Sequence, residues 1–152
     1  MTDAKHIWRQ KAMGAQTDEI LKEIKNGTSN ENNVNFIDEN AIRQEIREKL
    51  NANHESLNKF ASECNIHASH LSDFFNYGKN LGRNKLLAVL INLEYDFDTV
   101  QSMLQRLGVS ALYPRNKRDY LIAVSIRNKK NLDEIEEILS ANNFESIMFS
   151  SK

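Results

Sequence analysis

Apolar residues recur every three or four positions along most of the chain, and no useful stretch alternates between apolar and polar residues. The first spacing is typical of amphipathic helices, whereas alternation is typical of strands. In one segment Ile42, Ile46 and Leu50 follow each other at intervals of four, after an Asp38 placed to cap the helix. The pattern therefore predicts an all-α protein.

The helical spacing of apolar residues, together with the capping residues, predicts where each helix begins and ends. The predicted helical segments are about 17–27, 39–51, 57–64, 69–76, 84–94, 97–107, 115–127 and 132–142. Residues 28–37, "TSNENNVNFI", are polar and rich in Asn, which is typical of a linker. We expect an N-terminal helical arm with its linker at 1–37, a domain at 38–95 and a helical tail at 96–152.

The tail contains an internal similarity. "DTVQSMLQRLGVSAL" (98–112) and "DEIEEILSANNFESI" (133–147) align without gaps at an offset of 35 residues. In this alignment Val100 and Leu104 fall on Ile135 and Leu139. A period near 35 with two helices per unit is the signature of stacked helical hairpins. The tail is therefore predicted to hold one and a half hairpin repeats, packed against the preceding domain.

Composition narrows the class of protein. The 152 residues are 40% apolar and 27% charged, with one Pro and five Gly, as expected for a folded chain with few helix breakers. A single cysteine excludes an internal disulfide framework and is compatible with a reducing cytosol. The N-terminus lacks an apolar signal region, and no window approaches 18 apolar residues. We therefore expect a cytoplasmic protein with no membrane partner.

Charge is uneven, although the net charge is only −1. Residues 106–130 hold seven basic side chains and Asp119 as their one acid, and residues 131–147 hold five acids and no base. The overall balance excludes a uniformly basic nucleic-acid coat but allows a local basic face. The charge runs are expected to be solvated faces, or to orient a partner or a second copy of the chain.

The segment "LNKFASECNIHASHLSDFFN" (57–76) has the features of two helices joined by a tight turn. Ala61 is small enough for a crossing helix, and Asn65 tolerates the positive φ that such a turn needs. Ile66 can plug the core behind the turn, while Leu71 and Phe74 form a buried pair three residues apart. This spacing leaves the other face of the second helix free for the major groove of DNA.

These residues resemble the lambda-repressor-like (XRE-type) helix-turn-helix family over about 39–95. The resemblance includes the preceding helix at 39–51, the loop "NYGKNLGRN" and the Leu-rich helix "KLLAVLINLEY". The segments "LGVSALYPRNKRDYLIAVSI" and "LDEIEEIL" are similar to tails on uncharacterised bacterial regulators. The resemblance implies a bacterial or phage transcriptional regulator, a homodimer that binds double-stranded DNA with helix 69–76 in the major groove.

Residue roles follow from the resemblance by position. The implied major-groove residues are His67, Ala68, Ser69, Ser72 and Asp73, with Asn76 near the phosphate backbone. Ser56 and Ser69 are placed to cap the two helices. The implied phosphate contacts are Lys79, Arg83 and Lys85, and a further basic contact patch comprises Arg115, Lys117 and Arg118.

Departures from the family pattern keep a second interpretation open. Leu57 stands where the family often has a phosphate-binding Gln, Ala68 where a long polar side chain is common, and Asp73 would face phosphates with the wrong charge. The motif also lacks Arg, the commonest base-reading residue. The alternative is a protein-interaction adaptor or mobile-element inhibitor that keeps the fold without specific DNA binding, with the tail contacting a protein partner.

The sequence gives little indication of a metal site or of a catalytic site. Cys64, His67 and His70 are spaced three apart, but no fourth ligand lies nearby and Cys64 occupies an inward-facing helix position. The chain has no Gly-rich phosphate loop, nucleophile–base spacing or paired carboxylates. We therefore expect neither an enzyme nor a metal or cofactor site.

Overall fold

The computed structural model describes residues 16–54 and 56–148. All regular elements among these residues are helical, which confirms the predicted all-α class. The first helix, α1, includes residues 16–26, and a short 3-10 helix spans Glu31–Asn33. The remaining helices are α2 (Glu39–Asn53), α3 (Leu57–Glu63), α4 (Ala68–Tyr77), α5 (Arg83–Asn92), α6 (Phe97–Arg106), α7 (Lys117–Arg127) and α8 (Leu132–Ala141). None of these helices is long and apolar enough to cross a bilayer.

The chain divides into two compact units, one ending at Ile37 and the other beginning at Asp38. In the first unit α1 is followed by Gly27, whose φ of +74° is the left-handed conformation that terminates many helices. The Asn30 side chain then accepts a hydrogen bond from the Asn32 amide and so caps the 3-10 helix. The Asn-rich segment thus contains a capped turn within the predicted linker.

The second unit is built around one continuous core. The Asp38 side chain caps α2 by accepting hydrogen bonds from the first-turn amides, and Ile42, Ile46 and Leu50 are fully buried, as their spacing predicts. α2 packs against α3, α4 and α6, while α5 packs against α6 and α8. The same core includes Leu90 before the predicted 95/96 boundary and Val100 after it, so α2–α8 share one hydrophobic interior.

The helix pairs α5–α6 and α7–α8 are two copies of one hairpin. The bounds of α6 and α8 differ by 35 residues at both ends. The left-handed residues that end the helices differ by the same offset, Glu94 with Lys129 and Gly108 with Asn143. The sequence alignment predicted one and a half units, whereas the structure contains two complete helix pairs.

Side-chain contacts repeat along with the backbone. Gln101 accepts a hydrogen bond from the Leu112 amide at 2.7 Å, and Glu136 accepts one from the Ile147 amide at 2.9 Å. Arg83 donates to the Ser110 carbonyl, as Arg118 does to the Glu145 carbonyl, at 2.9 and 3.0 Å. In each helix pair, an arginine of the first helix and a side-chain acceptor of the second therefore bind the backbone of the loop that follows the pair.

The two hairpins are also linked to each other reciprocally. Arg83 of the first binds Asp119 of the second, and Arg118 of the second binds Asn84 of the first at 3.2 Å. Asn84 and Asp119 are themselves 35 residues apart, and α5 packs on α8 as α7 packs on α6. Such reciprocal contacts indicate an approximate two-fold relation between the hairpins.

Candidate nucleic-acid interface

Helices α3 and α4 are joined by a tight, hydrogen-bonded turn. Asn65 has a φ of +56°, and its amide donates to the Ser62 carbonyl at 3.0 Å. The Ile66 amide donates to the Ala61 carbonyl at 2.9 Å, which completes the pair of bonds that define a Schellman motif. The Asn65 side chain also donates to the Met148 carbonyl, so the last described residue is tied to this turn.

Burial on the two helices follows the spacing in the sequence. Ala61, Ile66, Leu71 and Phe74 are all at most 5% exposed and belong to the core. The start of α4 differs from expectation, because His67 and not Ser69 is the N-cap residue, and its side chain makes no capping bond. Ser69 instead lies inside the first turn of α4 with its side chain exposed.

The outward face of α4 carries the residues assigned to the major groove. His67, Ser69 and Asn76 are exposed, and Ser72 and Asp73 are half-buried. Ala68 is also half-buried and packs against the core, so only part of it is available to a ligand. This face is polar and short-chained, with the exposed Tyr77 at its C-terminal end.

Two arginines from α2 reach α4, a contact that the sequence analysis missed. Arg47 donates to the Asn76 side chain at 2.6 Å, and its guanidinium lies 5.5 Å from the centre of the Phe75 ring. Arg43 is buried, with its guanidinium 5.4 Å from the centre of the Phe74 ring. Each arginine directly follows a buried isoleucine of α2, and this regular spacing was the available signal. Arg47 therefore adds a cation at the edge of α4.

Arg83, which the sequence placed among the phosphate contacts, has an internal role. Its guanidinium binds both carboxylate oxygens of Asp119, at 3.1 and 2.9 Å, and donates to the carbonyls of Ser110 and Ala111. Asp119 also accepts from the Tyr113 amide at 3.0 Å. Burial raises the pKa of Asp119, but these hydrogen bonds and the charge of Arg83 outweigh it, so the pKa lies below its ordinary value.

The other predicted basic residues divide into two groups. Arg118 is half-buried and turned toward the Glu145 carbonyl and Asn84, so it does not share the exposed surface of Arg115 and Lys117. Lys79 is exposed just after α4, and Lys85 is half-buried with its Nζ 3.3 Å from Nδ1 of His70 on α4. Lys79 is thus close to α4 because it follows the helix in sequence, and Lys85 is close to it because it contacts His70.

Cys64 is a core residue. Its thiol is buried and donates to the Ala88 carbonyl at 3.7 Å, and burial raises its pKa to about 12. A thiolate is the form that binds metals and attacks electrophiles, so this environment suppresses both reactions. Residues 16–54 and 56–148 contain no group of three His, Cys, Asp or Glu side chains placed to hold a metal ion.

A cavity of about 760 Å³ opens between the α5–α6 turn and the α7–α8 turn. Residues related by the 35-residue offset line its two sides, with Glu94 and Asp96 on one side and Lys129 and Asn131 on the other. The cavity therefore follows from the duplication of the hairpin.

Comparison of the chain with protein-family models, curated proteins and solved structures gave no match.

Proposed function

We propose that this protein is a DNA-binding transcriptional regulator of bacterial or phage type, with a lambda-repressor-like core formed by α2–α5 and with α4 in the major groove. The observation that carries the proposal is the Schellman turn at Asn65, which buries Leu71 and Phe74 on one side of α4 and leaves its opposite side polar. A helix inserted into the groove needs such a division between a packed face and a free one.

The proposal gives separate roles to polar and basic residues. Ser69 and Ser72 would contact base edges, together with His67 at the start of the helix, because short polar side chains bond donors and acceptors in the groove. Asn76 would lie near the phosphate backbone, where it accepts a hydrogen bond from Arg47. Arg47, Lys79 and Lys85 would contact phosphates and set the position of α4 on the duplex. Arg47 replaces Arg83 in this set, since Arg83 is engaged by Asp119.

Binding as a homodimer would double the phosphate contacts. Three cations per protomer give about six contacts for a dimer, and each contributes about −0.9 to the slope of log affinity against log salt. The expected slope is therefore about −5 for a dimer and about −3 for a monomer. An affinity of this kind falls steeply between low and physiological salt.

The experiment is a fluorescence anisotropy titration of a random duplex pool at several salt concentrations. We expect Lys79→Ala to weaken binding to all sequences and to make the slope shallower by about 1 for each protomer bound, which is about 2 for a dimer. Lys130→Ala is the matched control, because Lys130 is an exposed cation on the α7–α8 turn and its loss should leave the slope unchanged. Absence of binding to any duplex at low salt would refute the proposal.

A protein-interaction adaptor with the same fold is the second candidate. It is favoured by the inward orientation of Arg83 and Arg118, which removes two of the expected DNA-contacting cations, and by the carboxylate of Asp73 beside the proposed groove-facing residues. This candidate predicts no salt-dependent duplex binding, together with a stable complex with a protein. The same titration therefore discriminates between the two functions.

A further inference from the structure

Because the hairpin is duplicated, the same helix face can be compared on α5 in the first copy and on α7 in the second. In the first copy, α3 and α4 lie across a face of α5. Three side-chain hydrogen bonds mark this contact: Lys85 with His70 at 3.3 Å, Cys64 with the Ala88 carbonyl at 3.7 Å, and Asn92 with Glu63 at 3.2 Å. Lys85, Ala88 and Asn92 are spaced three and four residues apart and so share one side of α5. On this side Ala88 is buried, and Lys85 and Asn92 are half-buried, by contacts with helices of the same chain.

The corresponding side of α7 is open. Addition of 35 to the α5 positions leads to Tyr120, Ala123 and Arg127, and Tyr120 is 52% exposed. The next pair of positions related by 35 residues shows the same difference: Val89 on α5 is fully buried, whereas Val124 on α7 is 38% exposed. Lys117, Tyr120, Val124 and Arg127 therefore form an exposed stripe, which we name the α7 face.

The charge of the α7 face is one-sided. Lys117 and Arg127 lie at its two ends, and Arg115 is exposed in the loop just before it. The acid of α7, Asp119, is buried against Arg83 and does not contribute to this surface. The α7 face thus has an apolar and aromatic centre between cations.

We propose that the α7 face docks an amphipathic helix of a partner protein, with apolar side chains on Tyr120 and Val124 and with carboxylates near Lys117 and Arg127. The helical form of the partner follows from the first copy, where helices cover the same side of the hairpin. Its acidic flanks follow from the cations at both ends. This surface is separate from the α4 face, so the inference does not rest on DNA binding.

A second copy of the chain is a poorer occupant. Pairing of two α7 faces about a two-fold axis would bring Lys117 and Arg127 of one protomer against the same cations of the other, which is unfavourable. Nucleic acid could bind the cations, but the exposed valine in the centre of the stripe has no charge or hydrogen-bonding group with which to bind phosphates or bases. An acidic helix satisfies both the apolar centre and the charged ends.

The test uses the full chain and two designed helical peptides of about 18 residues, long enough to form a helix on binding. Both carry a Leu stripe, flanked by Glu in one peptide and by Lys in the other. In fluorescence anisotropy at physiological salt we expect saturable binding of the Glu peptide alone. Tyr120→Ala and Val124→Glu should each weaken it about tenfold, as expected for loss of a central contact.

Two controls separate docking from unfolding and from non-specific charge attraction. Tyr77→Ala removes a tyrosine that is 76% exposed on α4 and should leave peptide affinity unchanged. Lys117→Glu with Arg127→Glu should reverse the preference, so that the Lys peptide binds. Circular dichroism melts of each variant verify that the fold is kept.

Several results would overturn the inference: no saturation by the Glu peptide up to about 1 mM, a concentration that would detect even weak docking, equal binding of both peptides, or α7-face variants that bind the Glu peptide as the parent does. A duplex titration on the same variants covers nucleic acid. If they lose DNA affinity while the Glu peptide fails to bind, the α7 face is a nucleic-acid site and the protein-docking inference is wrong.

Discussion

Replacement of Asp119 by alanine is expected to destabilise the fold strongly. The carboxylate accepts two bonds from the Arg83 guanidinium and one from the Tyr113 amide, and only 10% of its side chain is exposed. Removal of one partner of a buried ion pair typically costs about 3–5 kcal/mol, because the other charge loses its partner. The Arg83 side chain is 27% exposed, so water recovers part of this cost. We therefore expect a loss of about 2–4 kcal/mol in the free energy of unfolding.

Asp119→Asn isolates the contribution of charge. Asparagine is the residue at the corresponding position of the first hairpin, Asn84, so the fold accommodates it. It keeps an oxygen acceptor but loses the charge, and we expect a smaller cost of about 1–2 kcal/mol. Urea unfolding followed by far-UV circular dichroism at neutral pH measures both variants. Asp133→Ala, at an exposed acid in the first turn of α8, serves as the control and should change the free energy by about 0.5 kcal/mol or less.

The pH dependence follows from the lowered pKa of Asp119. The unfolded carboxyl titrates near its ordinary value of about 3.9, whereas the folded one titrates below it. Its stabilising contribution is therefore complete above the unfolded value and is lost as the pH falls through the folded value. The stability difference between the parent and Asp119→Asn should shrink as the pH falls below about 4. A cost of Asp119→Ala under about 0.5 kcal/mol, or a difference independent of pH, would refute the ion-pair reasoning.

Three further predictions concern backbone conformation and the thiol. Lys129→Gly should raise the free energy of unfolding by about 0.5 kcal/mol or more in urea titrations, because Lys129 has a φ of +58° that glycine adopts without strain. Gly78→Ala should cost about 1 kcal/mol or more in thermal melts, since Gly78 has a φ of +66° and an added Cβ would lie 3.3 Å from the Arg43 guanidinium. Cys64 should react with a disulfide reagent far more slowly in the native protein than in urea, given its burial and raised pKa, and equal rates would contradict this.

The helices and the α3–α4 turn could be predicted from the sequence because their signals are local. A helical spacing of apolar residues and caps such as Asp38 predicted every helix from α2 to α8 within about two residues. Asn65 has the positive φ that the turn requires, and Ile66 is buried behind it. The start of α4 was less predictable, because His67 caps it through its backbone alone and leaves no side-chain signal.

Contacts between distant segments could not be predicted in the same way. Arg83 and Asp119 are 36 residues apart, and nothing local distinguishes a buried pair from two solvated charges. The first hairpin helix was missed as a repeat because its surroundings differ. α5 has no exposed residue and buries an unbroken run from Leu86 to Ile91, whereas α7 exposes four of its residues. Similar backbones in different surroundings thus diverge in sequence, and only α6 and α8 retained a recognisable alignment.

The most direct test of the proposed function is mapping of DNA contacts by amide NMR shifts, with a random duplex added at low salt. We expect the largest shifts in residues 67–76 of the turn and α4, with smaller shifts at Lys79 and Lys85. Ser69→Ala combined with Asn76→Ala should reduce both the shifts and the affinity. Shifts confined to other helices, or unchanged spectra with the fold intact, would contradict it.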